Sequence, residues 1–224
     1  MQATPSPSFN LDQSNQQYQT GIIGHKPTVL TRIYDDNISA CIQTRTLSKD
    51  ITDYATFICH SHNTTELSLV ITPTSIAEQL SHALPNHDTR AVFIHDLVTI
   101  IDMFAGLFDL EKIGLRLTTL TKAMCPRFHT DRVLCRLITT YFGKGTEWLD
   151  GNPIDPIELA TYNETYGNQP YLGKIPCFHL QPGDIALFKG DQWEKSIGNP
   201  GVIHRSPHLD KGEVRLLLTL DMIS

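Results

Sequence analysis

The sequence predicts an α+β protein in which a helical layer supports a β-sandwich or open barrel. Three observations carry this. Apolar residues between about Leu47 and Phe108 recur with the period of a helix. After Gly114 the texture changes to short runs of β-branched, leucine and aromatic residues bounded by Gly and Pro. At 224 residues, the chain is long enough for one large domain that buries a core without covalent staples.

Residues 1–27 are rich in Gln, Asn, Ser, Thr and Pro, with few apolar anchors, and read as a poorly ordered lead-in. Residues 28–224 read as a single domain: 28–112 mainly helical support, 113–224 a β-barrel. Ser48 is expected to cap a helix carrying Ile51, Tyr54, Ala55 and Ile58, and Thr74 one carrying Ile76, Leu80 and Leu84 that stops at Pro85. From Asp88 to about Phe108, the stripe Phe93, Leu97, Ile100, Ile101, Phe104 and Phe108 predicts a core helix. Strands are expected over Leu115–Thr121, Cys135–Phe142, Ile185–Phe188 and Val214–Leu220, with a short helix over Asp155–Tyr162 that has Pro156 in its first turn. Pro182-Gly183-Asp184 supplies the turn into the third of these strands.

Composition narrows the function classes. A formal net charge of −6 argues against general attraction to nucleic acid or anionic lipid. Five scattered cysteines with no C-x-x-C pair fit neither a disulfide framework nor a zinc ribbon, and favour a reducing compartment. The start of the chain lacks the pattern of a secretory signal, and the apolar stretch Ala91–Phe108 is interrupted by His95, Asp96 and Asp102. A cytoplasmic protein without a membrane span is the expectation.

The chemistry-bearing pattern is His129-Thr130-Asp131, followed by His204 seventy-three residues after the aspartate, and then by Arg215. On an extended strand His129 and Asp131 project from one face. A histidine from a distant strand then completes a facial set of two nitrogens and one oxygen. Such a set holds a divalent metal with other positions open, as in non-haem Fe(II) oxygenases. His204 follows two apolar β-formers and is the stronger third ligand. His208, in a Pro-containing loop, is the weaker one.

Arg215 opens an otherwise apolar strand, and a cation there needs an anionic partner. Either a ligand carboxylate or an internal salt bridge to Asp184 or Asp221 would serve. Trp148 is expected to pack or to form a pocket wall. Arg116, Arg127, Arg132, Arg136 and Arg205 also lie in or near these motifs, so a positively charged pocket suited to an anionic co-substrate or substrate is anticipated.

The order of these residues resembles prolyl-hydroxylase-like oxygenases. In that comparison Arg215, eleven residues after His204, stands near where the far carboxylate of 2-oxoglutarate is gripped. Tyr141 stands where an aromatic hydroxyl assists, although a structural tyrosine fits the position equally. The small hydroxyl residue usual two positions after the arginine is Leu217 here. The run from about Leu115 to Asp221 further resembles the domain of unknown function 1826 family, through C-P-R-F-H-T-D, R-L-I-T-T-Y, G-T-E-W-L, G-D-I-A-L-F-K-G, H-R-S-P and R-L-L-L-T-L-D.

That resemblance implies a C-terminal double-stranded β-helix, a jelly-roll or cupin-like barrel, beneath the helical layer. The likeness to prolyl-hydroxylase-like oxygenases implies Fe(II) on His129, Asp131 and His204, with 2-oxoglutarate as a small-molecule co-substrate held by Arg215 and Tyr141. The substrate itself is left open. A second implication is a non-catalytic zinc-binding or metal-homeostasis role on the same barrel, with Cys125, His208 or water as fourth ligand. Arg136 and Trp148 join Cys125 and His208 as auxiliary residues.

Overall fold

The structure, a computed structural model, describes residues 21–61, 65–72, 76–150, 155–167, 176–193 and 201–223. The strands are β1 (Gly21–Gly24), β2 (Ala40–Gln43), β3 (Glu66–Ile71), β4 (Ile113–Leu120), β5 (Cys135–Phe142), β6 (Glu147–Leu149), β7 (Cys177–His179), β8 (Ile185–Lys189), β9 (His204–Arg205) and β10 (Arg215–Met222). A 3-10 helix (Pro27–Tyr34) precedes α1 (Lys49–His60), α2 (Ile76–Ala83), α3 (Arg90–Phe108) and α4 (Pro156–Tyr166). The strands form a seven-stranded sheet in the order β1-β2-β8-β5-β10-β4-β3 and a three-stranded sheet in the order β7-β6-β9.

Strand alternation divides the large sheet into two faces. Leu115 and Leu117 on β4, Cys135 and Leu137 on β5, Leu187 on β8, and Leu216, Leu218 and Leu220 on β10 join the helices in the main core. The intervening residues face the other way. Ala40, Ile42, Ile138, Ala186, Phe188 and Leu217 meet Trp148 of β6 in a second core between the sheets. The Arg136 and Arg215 side chains belong to this inner set. The register places Arg136 opposite Asp221 on β10, and Arg215 opposite Leu120 on β4.

The helices form where the periodicity puts them. The Ser48 side chain accepts from the Ile51 amide at 3.4 Å and caps α1, whose Ile51, Tyr54, Ala55 and Ile58 are buried. Thr74 lies outside the described residues. α3 is long and apolar enough to cross a bilayer. Its Phe93, Leu97, Ile100, Ile101 and Phe104 are nevertheless buried in the protein core. Its Asp96 pairs with Arg45 at 2.5 Å and accepts from the Tyr141 hydroxyl at 2.7 Å.

Among the described residues, three strands precede β4. Residues 28–112 are not helical support alone, because β2 and β3 within them belong to the large sheet. β2 is buried along its whole length and has no alternation to read, while β3 lies at the sheet edge against β4. The lead-in over residues 1–27 falls mostly outside the described residues, but Gly21–Gly24 pair with Ala40–Gln43 as a parallel strand.

Leu218 lies at the centre of the main core, fully buried. Leu218→Ala is expected to lower unfolding free energy by about 2–5 kcal/mol, read from urea midpoints at unchanged slope.

Candidate metal centre

Two histidines far apart in the chain meet because their backbones pair. The His129 amide donates to the His204 carbonyl at 3.0 Å, and the His204 amide donates back at 2.9 Å. Residues directly opposite in such an antiparallel pair project side chains from the same face. The two rings lie 4.8 Å apart between centroids. The expected strand through His129-Thr130-Asp131 is corrected to a single bridge at His129, with Asp131 in the loop beyond it. That loop is seated by the chain leaving β8. The Asp191 amide donates to the Asp131 carbonyl at 2.9 Å. A Cβ at Gly190 would come within 2.1 Å of the Val133 carbonyl oxygen and 2.6 Å of that of Asp131, so only glycine fits this crossing.

The candidate ligand atoms of His129, Asp131 and His204 all lie within 4.8 Å of one another. His129 Nε2 is 3.4 Å from Asp131 Oδ1, and His204 Nε2 is 3.2 Å from Oδ2. Each Nδ1 faces a backbone carbonyl, that of Arg127 at 2.9 Å for His129 and that of Val202 at 3.0 Å for His204. A carbonyl only accepts, so each Nδ1 carries the proton, and both Nε2 atoms turn toward Asp131. A divalent cation between them would take the place of Nε2 protons.

Burial opposes ionisation of Asp131. Hydrogen bonds from His129 and His204, with the charges of His204 and Arg136, outweigh that and hold its carboxyl well below the usual range. The hydrogen bond to Asp131 raises His129 above the usual imidazole value despite burial.

Arg136 fixes the carboxylate from behind. Its Nη1 donates to Asp131 Oδ2 at 2.7 Å, while Nε and Nη2 bind the two oxygens of Asp221 at 2.6 and 2.8 Å. Asp221 is therefore committed to Arg136 and not to Arg215. The other internal partner considered for Arg215, Asp184, accepts instead from the Gln181 amide at 2.7 Å.

Arg215 is 1% exposed. It binds two hydroxyls, Thr146 at 2.6 Å and Thr140 at 3.0 Å, and pairs with no carboxylate among the described residues. Burial pulls its guanidinium down to about 10, with the Glu147 charge acting the other way. His129, His204, Arg136 and Arg215 line one cavity with about 60 Å³ of free space, whose rim includes Met124 and Cys125.

Tyr141 points elsewhere. Its ring packs 4.7 Å from Phe93 on the helical side of the sheet, and its hydroxyl is held by Asp96. The hydroxyls that meet Arg215 are those of Thr140, one residue earlier and on the opposite face, and of Thr146. Counting by twos from Arg136 along β5 reaches Thr140 and passes over Tyr141, a signal the sequence carries.

The auxiliary residues scatter. Cys125 is an exposed thiol at the cavity rim and lies outside the ligand cluster. His208 lies 3.4 Å from Asp210, on a separate cavity of about 800 Å³ that is also lined by Lys144 and Glu213. Trp148 is buried between the sheets, stacked on Phe178 at 5.1 Å, and stands opposite His204 in the small sheet. Sequence reasoning missed the buried pair of Arg205 and Glu147 at 2.6 Å, whose guanidinium lies over the Phe128 ring.

If Arg136 orients Asp131, Arg136→Gln and Asp221→Asn should each weaken Co(II) binding by about 10–100-fold. Calorimetric titration of the metal-free chain checks this, and circular dichroism would show the fold retained.

None of the curated proteins compared matches the chain by sequence. Among solved structures, the dioxygenase for auxin oxidation from rice aligns with 92% of this chain and 83% of its own, at 9% identity and a TM-score of 0.50. Dioxygenase for auxin oxidation 1 from Arabidopsis thaliana, solved as a 2-oxoglutarate binary complex, aligns over 92% of each chain, at 11% identity and a TM-score of 0.53. At such identities the likeness is one of fold. In sequence, residues 24–221 match the family described as protein of unknown function (DUF1826), and the chain belongs to that family.

Proposed function

We propose that the chain is a cytoplasmic oxygenase that uses Fe(II) and 2-oxoglutarate, built on a double-stranded β-helix beneath a helical layer. One observation carries the reading. The two histidines of a His-Asp-His cluster line a cavity together with a buried guanidinium whose hydrogen-bond partners, among the described residues, are neutral hydroxyls. His129, Asp131 and His204 supply the donor set of an iron centre with open positions. Arg215, fixed in place by Thr140 and Thr146, offers a fork for the far carboxylate of 2-oxoglutarate. Burial makes that carboxylate a better partner than the hydroxyls alone. The free space of about 60 Å³ is narrow, and its rim carries the exposed side chains Met124 and Arg116.

Held by His129, Asp131, His204 and Arg215, Fe(II) and 2-oxoglutarate would supply the oxidising chemistry, one atom of dioxygen being accounted for in succinate, formed with loss of carbon dioxide, and the other in the hydroxylated substrate. The protein's part is to hold and orient these partners and to keep the inner end dry. Arg136 holds one oxygen of Asp131, so the aspartate presents a defined face to the cation. Phe188 and Trp148, next to His204, wall the centre on its apolar side. The fold shared with the Arabidopsis protein, whose structure contains 2-oxoglutarate, supports the co-substrate assignment.

A closed structural zinc site would take a fourth protein donor. Among the described residues the cluster has three, with Cys125 outside it, which favours the open oxygenase centre.

Mixing the protein anaerobically with Fe(II) and 2-oxoglutarate is expected to produce a weak visible chelate band. The band should vanish in His204→Ala and need about tenfold more 2-oxoglutarate in Arg215→Gln. Bound Fe(II) with no band would remove the co-substrate from this account.

A further inference from the structure

The cavity around the cluster is lined by four arginines, Arg116, Arg136, Arg205 and Arg215, and Asp131, the acidic member of the cluster, is already engaged by Arg136 and the two histidines. This is not a by-product of a basic chain, because the protein carries a net charge of −6. Three of the four are accounted for. Arg205 is paired with Glu147, and Arg136 with Asp131 and Asp221. Arg215 is the grip assigned to the co-substrate. Arg116 is left over: among the described residues its guanidinium makes one hydrogen bond, to the Met124 sulfur at 4.0 Å, and no carboxylate pairs with it.

Its position suits a different molecule from the one Arg215 takes. Arg215, Leu217 and Thr219 succeed one another along the inner face of β10, and Arg116 on β4 stands opposite Thr219. The two arginines therefore start four residues apart on that row, about 13 Å at the usual rise of a strand. Arg215 is at the buried end and Arg116 at the exposed rim. A cation at the mouth of a low-dielectric cavity attracts anions and orients them on entry. Placed on the inward face of β4 and lining the same cavity as His129 and His204, Arg116 meets whatever approaches from the rim.

We propose that the molecule oxidised at this centre is itself an anion, a carboxylate or a phosphate, whose charge is bound by Arg116. The proposal rests on the oxygenase reading and adds the substrate class to it. It makes Arg116 a specificity-determining residue that leaves the co-substrate to Arg215.

The test uses the full chain loaded with Co(II) and saturated with 2-oxoglutarate, so that Arg215 is occupied. Benzoate, phenyl phosphate and neutral benzamide serve as probes, read by paramagnetic broadening of their ring-proton signals. Broadening of an anionic probe, absent for benzamide, is expected, and the stronger of benzoate and phenyl phosphate names the head group. Arg116→Gln should weaken that binding by about tenfold, and Arg116→Lys should restore part of it. The affinity for 2-oxoglutarate should stay the same in both variants.

Equal broadening by benzamide, no broadening by any probe, or anion binding indifferent to Arg116→Gln would overturn the proposal while leaving the oxygenase reading in place. A fall in 2-oxoglutarate affinity in Arg116→Gln would reassign the residue to the co-substrate and overturn it too. Failure of Co(II) to bind, or binding that survives His204→Ala, would bring down both.

Discussion

The reciprocal pair of backbone hydrogen bonds between His129 and His204 is the constraint on which the centre depends. No side chain takes part in it. It brings together segments more than seventy residues apart and sets their facing direction, so both imidazoles emerge on one side. Asp131 then needs only to lie one step beyond, in a loop that the backbone at Gly190 and Asp191 holds from behind. Because the pairing is main-chain, it does not compete with the imidazoles for their nitrogens. Each ring has Nδ1 occupied by a local carbonyl and Nε2 left to face the aspartate.

Much of the helical half was legible in the sequence because one-sided apolar stripes survive into the structure, as in α1 and α3. The long strands β4, β5 and β10 were legible from β-branched and leucine-rich composition. The short ones were not. β6, β7 and β9 run for three, three and two residues, too few for a period to declare itself. β2 and β3 were obscured by their helical neighbourhood and emerge only through pairing with β8 and β4.

At the site, the order of His129, Asp131, His204 and Arg215 pointed to one place, and the structure gathers the first three side chains into one cluster. Partner choice was less legible. Asp221 could be offered to Arg215 on sequence grounds, yet the strand register sets it against Arg136. Tyr141 looked attractive as an aromatic hydroxyl, but strand parity turns it into the helical core. Such outcomes depend on which of two adjacent residues faces inward, which composition does not weigh and register does.

The network of Arg45, Asp96 and Tyr141 has a consequence for how the molecule comes apart. Arg45 follows β2, Asp96 sits on α3, Tyr141 lies on β5, and the Arg45 Nε also reaches the Gly183 carbonyl in the turn before β8. Opening any one of these junctions strands charge in a largely dry seam between layers. α3, β5 and the segments flanking β2 and β8 are thereby tied to one another by polar contacts as well as by apolar packing, so loosening one loads the others.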